Sequence, residues 1–356
     1  MKKILIYISL LLMVCGGLFY GNYQLNKSAH HTQKTLVIYN WGDYLDPKLI
    51  KKFEHEYGYK VVYETFDSNE AMFSKVKQGG TSYDIAIPSD YMIQKMTAAN
   101  LLKKLDHKKI KGLSNIDPTF LNLDFDKNNQ YSIPYFWGTL GIVYDKRLPQ
   151  DEQPKEWSDL WNPKLKKKIL IVDSARDILG MSLIDLGYSV NSKDNQQLLA
   201  AKDHLDKLSP NVKAIVADEI KMYMADNEAQ VAVTWSGEAN EIMSRNKNMT
   251  YVVPKKGSNI WFDNIVIPKT SKNPEGAYDF INFMLKPENA AQNANYIGYA
   301  TPNKKAKKDL DQEQLKNKEL YPDEKLLKKL QVYNDLGMKY IQRYNDLFLE
   351  FKMITN

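Results

Sequence analysis

The chain has 356 residues, 43% hydrophobic and 12% aromatic, a globular composition at a length that suits about two domains. Its formal charge of +6 arises from 49 Lys and Arg against 43 Asp and Glu. The surplus lies in scattered pairs such as Lys103-Lys104 and Lys307-Lys308 among interleaved acids, which reads as solvated surface rather than a nucleic-acid face. The only cysteine, Cys15, sits in an apolar N-terminal run, so the body of the protein has no thiol for a disulfide, a metal or catalysis. The five histidines lack the i, i+4 spacing of a zinc helix, and no metal site is expected.

In chain order, Lys2-Lys3 and the apolar stretch Ile4 to Tyr20 read as a signal peptide or a retained anchor helix over 1–20. Leu12-Met13-Val14-Cys15 resembles a lipobox, with Val14 where a small residue is usual. Residues 21–34 are polar and read as a tether. Thr35 to Tyr39 is a β-branched run that predicts a buried strand. Asp46-Pro47 opens a helix that Gly58 closes, Lys60 to Thr65 is a second strand, and Ser68 to Lys77 is a helix stopped by Gly79-Gly80. Asp84 to Ile87 is a third strand, ending at Pro88-Ser89. This βαβαβ order predicts a parallel sheet, with ligands held beyond the carboxyl ends of its strands. Trp41, Asp43, Tyr44, Ser89 and Tyr91 follow those ends and become candidates by position.

Further strands are expected at Gly141 to Tyr144, Lys168 to Val172, Ala229 to Trp235 and Ile260 to Pro268, the last returning to the first sheet. Helices are expected over Ala175 to Leu186, Asn195 to Leu208, Gly237 to Arg245 and from Pro274 through Leu285. The last fifty residues read as mostly helical and lysine-rich.

No GxSxG, P-loop or GxGxxG motif is present. Instead Trp41-Gly42-Asp43-Tyr44, Trp235-Ser236-Gly237-Glu238 and Trp261-Phe262-Asp263 each set an indole within three residues of an acid. Indole is costly to expose and a lone carboxylate is costly to bury. A site that combines them suits a cation with a methylene body. Burial of each Trp as ordinary core is the competing reading.

The blocks YNWGDY (39–44), YETFDSNEAMFSK (63–75), YDIAIPSDYMIQKM (83–96), YSIPYFWGTLGI (131–142), DSARD (173–177), IWFDNIVIP (260–268), INFMLKPENA (281–290) and GYATPN (298–303) resemble the spermidine/putrescine-binding proteins of bacterial polyamine ABC importers. The resemblance runs from about residue 35 to the end. It implies an α/β, two-lobe periplasmic-binding-protein-like fold of type II with a ligand cleft between the lobes. The lobes are expected as 35–140 plus 263–307 and 141–262 plus 308–356. It further implies an exported, monomeric, non-enzymatic receptor, periplasmic or held at the outer face of the cell membrane. Its partners would be putrescine or spermidine and the permease subunits of an ABC importer, with no cofactor. The residues carried over are Trp41, Asp43, Tyr44, Ser89, Tyr91, Asp177, Trp235, Trp261, Asp263 and Tyr333. Ser174 and Tyr333 depart from the family pattern, where an aspartate and a glutamine occur. Two rival readings stay open: a secreted hydrolase using cleft carboxylates, and a polyamine sensor on the same fold.

Overall fold

The structure, a computed structural model, describes residues 34–318 and 320–355. The expected signal or anchor segment, Cys15 and all of the tether except Lys34 lie outside the described residues. Strands β1 (Lys34–Trp41), β2 (Tyr59–Phe66) and β3 (Ile85–Ala86) enclose helices α1 (Pro47–Tyr57) and α2 (Asn69–Gln78). β1 pairs in parallel with both β2 and β3. The helix ends follow their cap chemistry. Asp46 Oδ1 accepts from Lys48 N at 2.9 Å with Pro47 in the first turn, and Gly58 closes α1 at φ 72°. Ser68 Oγ accepts from Ala71 N at 3.2 Å, and Gly79 (φ 72°) ends α2. Helix α3 (Asp90–Ala98) follows β3, which is shorter than the expected Asp84 to Ile87. Pro88 and Ser89 nevertheless stay beside the later strand Ile260–Val266, through the bond from Asn264 N to the Pro88 carbonyl (3.0 Å) and the Ser89–Asp263 bridge.

Strand β4 (Ser132–Asp145) is far longer than the expected Gly141 to Tyr144. Its first part, Ser132–Thr139, pairs with β9 (Ile260–Val266), and its last part pairs with β7 (Val231–Trp235) and β8 (Met249–Val252), all antiparallel. The remaining elements are β5 (Ile169–Val172), α4 (Ala175–Asp185), α5 (Asn195–Leu208), β6 (Val212–Val216), α6 (Ile220–Ala225) and α7 (Ser236–Arg245). After β9 come α8 (Pro274–Met284), α9 (Pro287–Ile297), α10 (Gln312–Lys316), α11 (Glu324–Leu327) and α12 (Met338–Thr355). The strand order β2-β1-β3-β9-β4-β7-β5-β6, with β8 beside β4, makes β4 the bridge between two half-sheets.

Two lobes form on these halves. In the first, alternate strand residues serve opposite faces: Ile38, Ile85 and Ile265 join one cluster, Tyr39, Ala86 and Val266 the other. In the second, Ile142, Ile171 and Val233 anchor a single cluster that includes Leu347 and Phe351 from α12. The packing changes lobe near 140 and 260, and Leu310 and Leu320 stay with the first lobe before Tyr333 enters the second. The C-terminal stretch is less helical than expected, because Glu324–Leu327 is the one helix between α10 and α12 among the described residues. No helix among the described residues is long and apolar enough to cross a membrane.

Candidate functional site: two buried carboxylates at the lobe junction

The site grows out of two serines that decline their ordinary role. Ser89 and Ser174 occupy the N-caps of α3 and α4, yet neither hydroxyl caps its helix. A serine cap stabilises a helix by about 1 kcal/mol. Both hydroxyls instead donate to a carboxylate: Ser89 Oγ to Asp263 Oδ1 at 2.6 Å, and Ser174 Oγ to Asp177 Oδ2 at 2.6 Å. Local stability is given up for the two acids, as expected where a site overrides local preference.

Asp263 lies in β9 and is 6% exposed. Its second oxygen accepts from the Tyr44 hydroxyl at 2.7 Å. Tyr44 is held in turn by edge-on contacts with Phe136 (5.3 Å) and Tyr299 (5.6 Å). Asn69 fixes Ser89 by donating to its Oγ at 3.0 Å and accepting from its backbone N–H at 3.1 Å. Burial raises the Asp263 pKa to about 6, against the opposing hydrogen bonds from Ser89 and Tyr44.

Asp177 lies in the first turn of α4, also 6% exposed. Besides Ser174 it accepts from Trp235 Nε1 at 3.2 Å and from the Tyr333 hydroxyl at 2.8 Å. Burial pushes its pKa up, and these three hydrogen bonds, with the nearby Arg176 charge, oppose the shift. Each acid is therefore buried, bonded by neutral donors, and left with acceptor capacity for a charged partner.

The two groups meet along β4. Gly138 pairs with Trp261 and Leu140 with Trp235 in the strand register. A Cβ on Gly138 would lie 2.4 Å from the Trp261 ring and 2.6 Å from Ser236 Oγ, so a glycine is needed to seat that indole. Trp261 is half-buried and T-stacked on Tyr299 at 5.1 Å. Its Nε1 is buried with no hydrogen-bond partner among the described residues.

The other expected positions differ in kind. Trp41 is half-buried, donating from Nε1 to the Ile87 carbonyl at 3.0 Å and packing on Phe66 at 4.6 Å. Tyr91 packs between both lobes and donates to Glu70 Oε1 at 3.3 Å. Asp43 is exposed, with a left-handed φ of 47°, and is not drawn into either carboxylate group. Glu238, the acid of the second indole–acid group, lies in the first turn of α7 and turns back to accept from the Thr234 hydroxyl on β7. Burial pushes its pKa up to about 8, with the Lys221 charge opposing.

Two residues escaped the sequence reading. Tyr299 is the ring on which Trp261 and Tyr44 both rest, and it presses on Gly237, where an added Cβ would fall 2.2 Å from its ring. It lies within the GYATPN block, and the nearby glycines were the available signal. Asp90 is fully buried and accepts from Tyr91 N at 2.7 Å and Phe262 N at 3.1 Å, tying α3 to β9 beside Asp263.

Two α/β lobes joined by shared central strands, with polar groups converging at the junction, define a type II periplasmic binding protein. The profile described as "Bacterial extracellular solute-binding protein" matches residues 48–322. The chain belongs to that family. It is 39% identical over 320 residues to the spermidine/putrescine-binding periplasmic protein of Escherichia coli K12, covering 89% of this chain and 92% of that one. It is 33% identical to the putrescine-binding periplasmic protein SpuD of Pseudomonas aeruginosa, covering 86% and 88%. Among solved structures, the spermidine/putrescine ABC transporter substrate-binding protein PotD of Streptococcus pneumoniae is 57% identical, with a TM-score of 0.82 over 91% of this chain and 100% of that one.

Proposed function

We propose that this protein captures a polyamine, putrescine or spermidine, outside the cytoplasm and delivers it to the permease of an ABC importer, without catalysing a reaction. The observation that carries the reading is the pair of buried carboxylates, Asp177 and Asp263, each bonded by neutral donors, with the Trp235 indole on Asp177 and Trp261 two residues from Asp263 in β9. Two such acids suit two ammonium groups, and the indoles suit the methylenes between them. Trp41, Trp235 and Trp261 line the chain of the ligand. Tyr44 and Ser89 orient Asp263, while Ser174 and Tyr333 orient Asp177. Tyr91 covers the site from the first lobe, and Asp43 meets a further amine at the exposed rim. The hydrolase reading gains no support from acids that hydroxyls already hold in place, and the named relatives are binding proteins.

Export by residues 1–20, a membrane-held or periplasmic location and a monomeric state complete the proposal. Calorimetric titration of the purified protein with putrescine, spermidine, cadaverine and a neutral sugar tests it. One-to-one binding of a polyamine with no heat from the sugar is expected. Tight sugar binding, or silence with every polyamine, would overturn it.

A further inference from the structure

One cation already stands inside this cation site. Arg176 is half-buried in the first turn of α4, next to Asp177, and its guanidinium is packed among three tyrosine rings. The Cζ lies 4.4 Å from the ring centre of Tyr333, 5.3 Å from Tyr344 and 5.7 Å from Tyr91. Its hydrogen bonds go to neutral oxygens: Nη2 donates to Asn191 Oδ1 at 3.1 Å, and Nη1 to the Asn334 carbonyl at 3.4 Å. Its Nε is buried without a partner. Arginine keeps its charge in such surroundings, and the rings hold it in one place.

Its surroundings close one end of the site. Tyr333, stacked on Arg176, donates to Asp177 Oδ1 at 2.8 Å with the Arg176 carbonyl oxygen at 3.0 Å. Tyr91 brings the first lobe onto the other side of the guanidinium. The two lobes are stitched at the same place, where Asp335 N donates to Gln94 Oε1 at 2.8 Å and Lys95 Nζ lies 3.6 Å from Met338 Sδ.

On the polyamine reading above, we propose that Arg176 is a specificity-determining residue, a fixed positive charge that stops the ligand at Asp177. A terminal ammonium sits on Asp177, and the rest of the ligand runs toward Asp263. No charged group extends past Asp177, because it would meet the like charge of the half-buried guanidinium. Ligands are thus admitted by how far their charges reach from that end. A four-charge polyamine, spermine, overfills the site, whereas putrescine and spermidine have their terminal ammonium on Asp177 and their remaining charge toward Asp263.

The test measures putrescine, spermidine and spermine by calorimetry on the wild-type protein and on Arg176→Gln and Arg176→Lys, with melting curves to establish folding. Wild type is expected to bind spermine at least about tenfold more weakly than the better of the other two, the size of one like-charge contact in a partly screened site. Arg176→Gln narrows that gap about tenfold, whatever happens to putrescine itself. Arg176→Lys preserves the gap, because it keeps the charge while losing the planar stack. Equal wild-type affinity for spermine and spermidine overturns the proposal, and that arm needs no variant to fold. A parallel shift of all three ligands in Arg176→Gln overturns it too, since Arg176 would then act only through Asp177. Failure of the wild type to bind any polyamine would instead strike the function proposed above.

Discussion

Replacing Asp263 by asparagine removes one negative charge and keeps the side-chain shape. In the folded protein the carboxyl has its pKa raised from 3.8 to about 6 by burial. A shift of about two units corresponds to on the order of 3 kcal/mol between its two protonation states. The sign follows from which state holds protons more tightly. The folded protein does, so this residue's contribution favours folding at low pH, and that advantage decays as pH rises from about 4 to about 6. Above that range the ligand-free protein carries a buried, uncompensated carboxylate. The amide bears no such penalty, and one of the two hydroxyls, Tyr44 or Ser89, can turn to accept from it. The ligand-free Asp263→Asn protein should therefore melt at or above the wild-type temperature at pH 7.5. Its polyamine affinity should nevertheless fall by about 1.5–3 kcal/mol, the worth of a hydrogen bond to a charged group, or about ten- to hundredfold. Differential scanning calorimetry and titration on one preparation read both quantities. Undiminished affinity in a folded variant would refute the assignment of Asp263 to an ammonium group.

Three further outcomes are expected. Because Asp263 must be ionised to hold a cation, putrescine affinity should fall about tenfold between pH 7 and pH 5; a flat profile would show that this carboxyl does not titrate with binding. Gly237→Ala should cost about 1–3 kcal/mol and weaken binding, since its Cβ would press 2.2 Å from the Tyr299 ring that supports Trp261; thermal melting and titration together check this, and an unchanged variant would contradict the contact. Trp261→Ala should lower the affinity of all polyamines in parallel by about tenfold, through loss of a shared apolar and cation–π face; a change confined to one ligand would place the indole at one end rather than along the chain.

Much of the fold could be read from local chemistry. Asp46-Pro47 and Gly58, or Ser68 and Gly79, bound helices that lie where the residue types place them. The return of Ile260–Val266 to the first sheet was likewise legible. The long β4 was not, because its residues change neighbours midway. From Ser132 to Thr139 they answer to β9 and from Leu140 to β7 and β8, with an irregularity in register between Pro134 and Phe136. Nearly every residue is buried on both faces, so no alternation marks the strand. Asp263 and Asp177 were singled out in the sequence through their neighbours, the indole two residues away and the DSARD block. What escaped was the use made of Ser89 and Ser174. A serine before a helix predicts a cap, and only the three-dimensional position of an acid reveals that its hydroxyl is spent elsewhere. Tyr299 escaped for a similar reason, since its importance lies in contacts with Tyr44, Gly237 and Trp261, all distant in sequence.

The central claim is that two carboxylates meet two ammonium groups, and comparing putrescine with butylamine tests it most directly. Butylamine keeps the four-carbon chain and one charge, so its binding would leave either Asp177 or Asp263 buried and without an ammonium partner. An unpaired charge in a polar site costs more than a missing methylene. Calorimetry should therefore show butylamine binding at least about tenfold more weakly than putrescine. Equal affinity for the two amines would contradict the account.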